Sequence, residues 1–229
     1  MKPKRCAHLS KSVSCGMAVL LIATLALPLH ADTTFSIEST RGAPGTTVIV
    51  PVTLRGETNA VALQADLLFD PALLLPGDVT AGTVANNHVL TFTDLVPGVR
   101  RLLIYSLSSA PMTNGVVVNL GFTVPPGTSQ HALRLSLSNV VLVTSAPSAI
   151  SSTNRHGVIV LNPIFIGPGG HAGFFLSALA GQTNIVQASI DLAQWTDIGT
   201  VVPIDTVLEF TDTNAPSFAH RFYRTVPQP

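Results

Sequence analysis

The 229-residue chain is 46% hydrophobic and only 10% charged, with twelve basic side chains against twelve acidic ones. That length can bury one or two cores. The balanced charge gives no basic field for nucleic acid or an anionic membrane surface, so neither is an expected partner.

Residues 1–31 predict an export signal. Lys2, Lys4, Arg5 and Lys11 form a positive head, and Met17–Leu27 is an apolar run too short to span a bilayer comfortably. Leu29-His30-Ala31 is a small-residue exit that places cleavage after Ala31, and the expected location is secreted or cell-surface. An uncleaved anchor is the alternative, disfavoured because Pro28 and His30 end the run early. Any membrane contact would run through this signal. Cys15 precedes the apolar run and is therefore not a lipidation cysteine. Cleavage leaves eight Arg and no Lys against twelve acids, a net charge of −4, and removes both cysteines. Such a mature chain has no disulfide and depends on burial alone.

Short runs rich in Val, Leu and Thr then recur between Gly, Pro, Asn and Asp turns. They predict strands at Thr34–Ser39, Thr46–Leu54, Val61–Phe69, His88–Thr93, Val99–Leu107, Gly115–Val124, Ala132–Val143 and Gly157–Leu161. Turn signals every 8–12 residues without a helical period imply an all-β sandwich or barrel. Pro51 falls inside a predicted strand, which must therefore be an edge or carry a bulge there. Ser145–Asn154 reads as a break.

Alternation is clearest in Val61–Phe69. Val61, Leu63, Ala65, Leu67 and Phe69 form the expected core side; Ala62, Gln64, Asp66 and Leu68 form an outward side, polar but lightly charged, that could meet a partner. Asp70 is placed to cap a short helical turn over Pro71–Leu75. Beyond Pro163, the stretch 163–171 with Gly167-Pro-Gly-Gly170 reads as a linker. Residues 172–229 form a small β-module with predicted strands at Phe174–Leu179, Ile185–Ile190, Trp195–Val202, Val207–Thr211 and Arg221–Val226.

Residues 33–162 resemble a cohesin domain, the receptor half of the cohesin–dockerin pair. The resemblance rests on Phe35-Ser-Ile-Glu-Ser and Ala43-Pro-Gly-Thr-Thr-Val-Ile-Val-Pro-Val-Thr-Leu54, then Gln64-Ala-Asp-Leu-Leu-Phe-Asp-Pro-Ala-Leu-Leu74. Gly115-Val-Val-Val-Asn-Leu-Gly-Phe-Thr-Val124 and Gly157-Val-Ile-Val-Leu161 complete it. It implies a nine-stranded jelly-roll β-sandwich, related to carbohydrate-binding sandwiches, that docks a dockerin-type module through one sheet face in carbohydrate-degrading assemblies. By motif position Gln64 and Asp66 fall on that face. Arg101, Leu103 and Tyr105 join them if Arg101 points outward. The sparse polar groups there, with apolar Ala62 and Leu68, depart from the family pattern and leave open a divergent dockerin, another cell-surface component, or a sandwich with no dockerin at all. The tail is similar to a C-terminal module recurrent in secreted proteins of environmental bacteria. Its marks are Ile185–Trp195, Phe210-Thr-Asp212 and Arg221-Phe-Tyr-Arg224, with Trp195 and Tyr223 expected as core aromatics.

No catalytic chemistry is evident. There is no Gly-x-Ser-x-Gly elbow, no Lys after the glycines at 167–170 to hold phosphate, and no dockerin-type calcium loop, so the chain would be the receptor. His88, His131, His156, His171 and His220 are scattered without ligand spacing; no metal and no cofactor are expected. Asp66 and Asp70 could pair as glycosidase carboxylates, but are better explained as a surface residue and a cap. The expectation is a non-catalytic binding or scaffold protein. The alternative is a polysaccharide-binding module, weakened because Trp195, Tyr105 and Tyr223 cannot form a contiguous aromatic row in sequence. The absence of Lys from every mature edge strand leaves self-association open.

Overall fold

A computed structural model describes residues 33–56, 59–146, 148–177, 181–203 and 207–228. The expected signal, residues 1–31, and its cleavage site lie outside the described residues. The described residues form one compact unit.

Twelve strands build its first part: β1 (Thr33–Ile37), β2 (Thr40–Arg41), β3 (Thr47–Arg55), β4 (Ala60–Phe69), β5 (Leu75–Ala81), β6 (Val89–Val96), β7 (Val99–Tyr105), β8 (Gly115–Thr123), β9 (Ala132–Thr144), β10 (Ala149–Ile150), β11 (Ser152–Arg155) and β12 (Gly157–Val160). One sheet runs β11-β1-β3-β8-β5; the other runs β2-β12-β9-β4-β7-β6, with β10 added to β9. Nine strands carry the jelly-roll sandwich, and the short β2, β10 and β11 extend its margins. Period-2 alternation delivers Phe35, Ile37, Val50, Val52 and Leu54 from the first sheet into one core with Leu63, Ala65, Leu67, Leu102, Ile104, Leu133 and Leu135 from the second. Pro97-Gly98 closes the β6–β7 hairpin. Gly98 has φ +82°, and a Cβ there would come within 2.5 Å of the Phe69 carbonyl oxygen.

Several expectations need correction. Val61 is half-buried and Ala60 takes its place in the core, because a bulge against β9 between Ala60 and Ala62 shifts the alternation by one residue. β3 is interior, between β1 and β8; its bulge falls between Val52 and Thr53 rather than at Pro51. The Pro51 carbonyl accepts Glu38 N–H at 2.8 Å just where β1 has ended, so the missing proline N–H faces no partner strand. Asp70 caps the expected helical turn, accepting Ala72 N–H at 2.9 Å on its side chain and Leu74 N–H at 3.0 Å on its carbonyl, but the turn stops one residue short because Leu75 opens β5. The expected break at 145–154 contains β10 and β11.

Six further strands follow: β13 (Ile164–Ile166), β14 (Ala172–Ser177), β15 (Asn184–Ser189), β16 (Thr196–Val201), β17 (Val207–Asp212) and β18 (Phe222–Pro227). They form two three-stranded sheets, β13-β14-β17 and β16-β15-β18, so residues 164–166 of the expected linker are a strand. Phe174 packs between Phe210 and Tyr223, with ring centroids 5.5 and 4.7 Å away. Asp212, buried beside them, accepts Arg221 Nη1 at 2.7 Å and the Tyr223 hydroxyl at 3.0 Å. Burial and Asp212 push the Tyr223 phenol up to about 12. Trp195 is not a core residue. It is half-buried, with the Arg224 guanidinium 4.1 Å over its ring and its indole N–H donated to the Leu192 carbonyl.

Candidate docking face

The outer face of the second sheet is where the predicted partner-binding residues stand. β4 pairs with β7 so that Ala62 faces Tyr105, Gln64 faces Leu103 and Asp66 faces Arg101. Directly opposed residues in an antiparallel pair share a face. Leu102 and Ile104 are core, so Arg101, Leu103 and Tyr105 must point outward with Gln64 and Asp66. All five thus meet on one surface. The register extends this surface over four strands in three rows: Val143–Ala62–Tyr105–Val89, Val141–Gln64–Leu103–Thr91 and Ser138–Asp66–Arg101–Thr93. At ordinary strand spacing and rise the patch measures about 14 Å on a side. Its middle is open: Leu103 is 39% and Val141 43% exposed.

Asp66 is on this face but is not the free surface carboxylate expected of it. Its side chain is 3% exposed. Arg101 lies across it in a bidentate pair, Nε to Oδ1 at 2.6 Å and Nη2 to Oδ2 at 2.8 Å, and Asn139 Nδ2 donates to Oδ2 at 2.7 Å. The Arg101 hydrogen bond, against the opposing cost of burial and with help from Asn139, holds the Asp66 carboxyl below its usual range and raises the Arg101 guanidinium. Asn139 reaches the carboxylate because β9 carries an extra residue here. The register slips between Gln64 and Asp66, and Asn139 adopts φ +48°, a conformation asparagine tolerates. Sequence reasoning missed Asn139; the signal was Ser138-Asn139, a turn-type pair inside an otherwise alternating strand.

Arg100, next to Arg101, points the opposite way. Its guanidinium binds both oxygens of Asp94 at 2.6 and 2.8 Å and the Gly77 carbonyl of β5 at 2.7 Å, tying the two sheets together at the rim of the sandwich. The arginine pair therefore divides its work: Arg100 closes the fold and Arg101 neutralises the face.

No group of three or more His, Cys, Asp or Glu gathers in metal-binding geometry among the described residues. The histidines there have local contacts: His156 Nδ1 accepts Leu137 N–H, His88 Nε2 meets the Ala110 carbonyl, His220 Nε2 meets that of Ile190, and the His131 ring stacks on Phe165 at 3.9 Å.

The family model for the cohesin domain matches residues 33–158. No curated protein matches the chain. Among solved structures, the sixth cohesin of Acetivibrio cellulolyticus scaffoldin B, in complex with a mutant dockerin, is similar with TM-score 0.54 and 21% identity. The match covers 57% of this chain and 99% of that one. A non-cellulosomal cohesin from the archaeon Archaeoglobus fulgidus gives 0.51 and 18%, over 57% and 91% of the two chains. A type I cohesin–dockerin complex from Clostridium thermocellum gives 0.53 and 14%, over 57% and 99%. At such identities the likeness establishes a shared fold.

Proposed function

This chain belongs to the cohesin family, and on that premise we propose that it is an exported, non-catalytic receptor that docks a dockerin-type module through the outer face of β9, β4, β7 and β6. The observation carrying this reading is the register of β4 on β7: Gln64, Asp66, Arg101, Leu103 and Tyr105 share one uncovered face. Its only buried carboxylate is satisfied internally, so a partner meets a nearly neutral surface with Leu103 and Val141 at its centre. A surface of that kind favours an apolar anchor ringed by hydrogen bonds. In this reading the setting is the cell surface or the medium, with polysaccharide-degrading enzymes as the cargo.

The test is calorimetric titration of the mature protein with recombinant dockerin modules encoded in the same genome. Saturable binding that Leu103→Arg abolishes, without a change in melting temperature, supports the reading. If no dockerin binds while insoluble glucan or chitin retains the protein, the chain is a polysaccharide-binding module instead.

A further inference from the structure

The outer face does not end at β9. Along that strand Ala132, Arg134, Ser136 and Ser138 point outward, since Leu133, Leu135 and Leu137 are core. Arg134 is opposed by Val158 of β12 and Ala132 by Val160, so both valines also point outward. An outward valine near a sheet margin should be exposed, yet each is only 5% exposed. The C-terminal module meets the sheet here. The His131 ring lies flat on Phe165 of β13, and Phe165 packs against Phe175 of β14 at 5.8 Å. Phe175, Val207 and Glu209 line one cleft of about 300 Å³ together with Val158, Ala132 and Arg134.

Arg134 stands at the boundary of this cleft and a second one of about 390 Å³, lined also by Leu68, Ser136, Asp70 and Leu73 on the side of the docking face. Arg134 and Glu209 are exposed, and neither forms an ion pair among the described residues. By contrast Asp66, Arg100, Arg101, Asp94, Asp212 and Arg221 are all tied up in bidentate or buried pairs. Arg134 and Glu209 thus put two exposed charges of opposite sign on one cleft, at the junction of the two parts of the molecule. From Val141 to Arg134 the distance along β9 is about 20 Å, which a partner helix of about 14 residues spans.

We propose that the C-terminal module is a second wall of the docking surface. A dockerin-type partner seated over Leu103 and Val141 extends along β9 to the cleft beneath β14 and β17, placing a carboxylate against Arg134 and a basic group against Glu209. This rests on the docking reading above and adds to it a recognition site outside the sandwich. It also assigns the tail a role in selecting partners, because only chains carrying this module present Glu209 beside Arg134.

The test uses the full mature protein and the panel of same-genome dockerins, with Kd measured at low and high salt. Arg134→Glu and Glu209→Lys are each expected to weaken binding at least tenfold at low salt and to flatten the salt dependence. Arg155→Glu, on the opposite sheet, is expected to leave Kd within twofold and controls for net charge. If Leu103→Arg abolishes binding but both charge reversals bind within twofold of the parent, the wall is wrong and the docking face stands. If no dockerin binds the parent protein, both fall together.

Discussion

Replacing Asp66 by Asn tests whether the centre of the docking face is a self-contained polar network. The carboxylate accepts two hydrogen bonds from Arg101 and one from Asn139 while its side chain is 3% exposed. An amide of the same shape presents one NH₂ group where only donors surround it. Whichever way it turns, it confronts either the guanidinium or Asn139 Nδ2, and the negative charge is lost. Bonds to charged groups are worth about 1.5–3 kcal/mol each when buried. Arg101 is 36% exposed and can return to water, which reduces the loss. A net cost of about 1–2 kcal/mol follows for Asp66→Asn, a fall in melting temperature of about 2–8 °C for a domain of this size. The pH dependence has a definite sign. Because the folded carboxyl is held below its unfolded value of about 3.9, its contribution is fully present above that pH and disappears as pH falls through the folded value. Thermal melts of parent and Asp66→Asn between pH 2 and 7 should therefore differ most near neutrality and converge in acid. A difference that is absent at pH 7, or that grows below pH 3, would refute the network.

Three further outcomes follow from particular contacts. In Tyr105→Phe, Tyr223 is the last phenol of the chain, and ultraviolet titration should show it ionising near 12. Its stabilising effect is then full below about pH 10 and lost toward 12; a midpoint near 10 would show that neither burial nor Asp212 holds it. Arg100→Met should cost about 1–3 kcal/mol by leaving the Gly77 carbonyl without its donor, yet leave dockerin affinity intact because Arg100 faces the inside of the sandwich; lost affinity without lost stability would overturn that placement. Gly157→Ala puts a methyl group 2.4 Å from Ile37 Cγ2 in the core, and overpacking of this kind costs about 1–3 kcal/mol; a melting temperature within 1 °C of the parent would mean β12 shifts freely.

The alternation of Val61–Phe69 was legible because a half-buried strand has no other way to satisfy two environments. It placed Leu63, Ala65, Leu67 and Phe69 inside and Gln64 outside. It misplaced Val61 because a bulge adds a residue without any mark in composition. β5 was unreadable for a different reason. Leu75-Pro-Gly-Asp-Val-Thr-Ala81 is an edge strand, largely exposed and bulged between Pro76 and Val79, so its residues report turn chemistry instead of burial. β11 escaped likewise: Ser152-Thr-Asn-Arg155 looks like loop and becomes a strand only through its parallel pairing with β1. Phasing alone put Gln64 and Asp66 on one side of their strand; gathering Arg101, Leu103 and Tyr105 with them rested on the cohesin resemblance, and the β4–β7 register supplies the pairing. What phasing could not supply was the third strand, which brings Asn139, Val141 and Arg134.

That third strand changes how the face can discriminate among partners. Read alone, Gln64 and Asp66 suggest recognition by a carboxylate. With Arg101 and Asn139 in place, the carboxylate is consumed by the fold, and a charge reversal at 66 would act first on stability and only secondarily on affinity. In the proposed docking reading, discrimination then has two remaining sources. One is the shape of the apolar centre at Leu103 and Val141, which rewards a fitted side chain but rejects near-isosteres weakly. The other is the pair of exposed charges at Arg134 and Glu209, which in the proposed second wall repels a wrongly charged partner and steers a correct one. On that proposal, affinity and selectivity are separated by about 20 Å along β9. Mutations at the centre should change how tightly every partner is held, and mutations at the junction should change which partner is chosen.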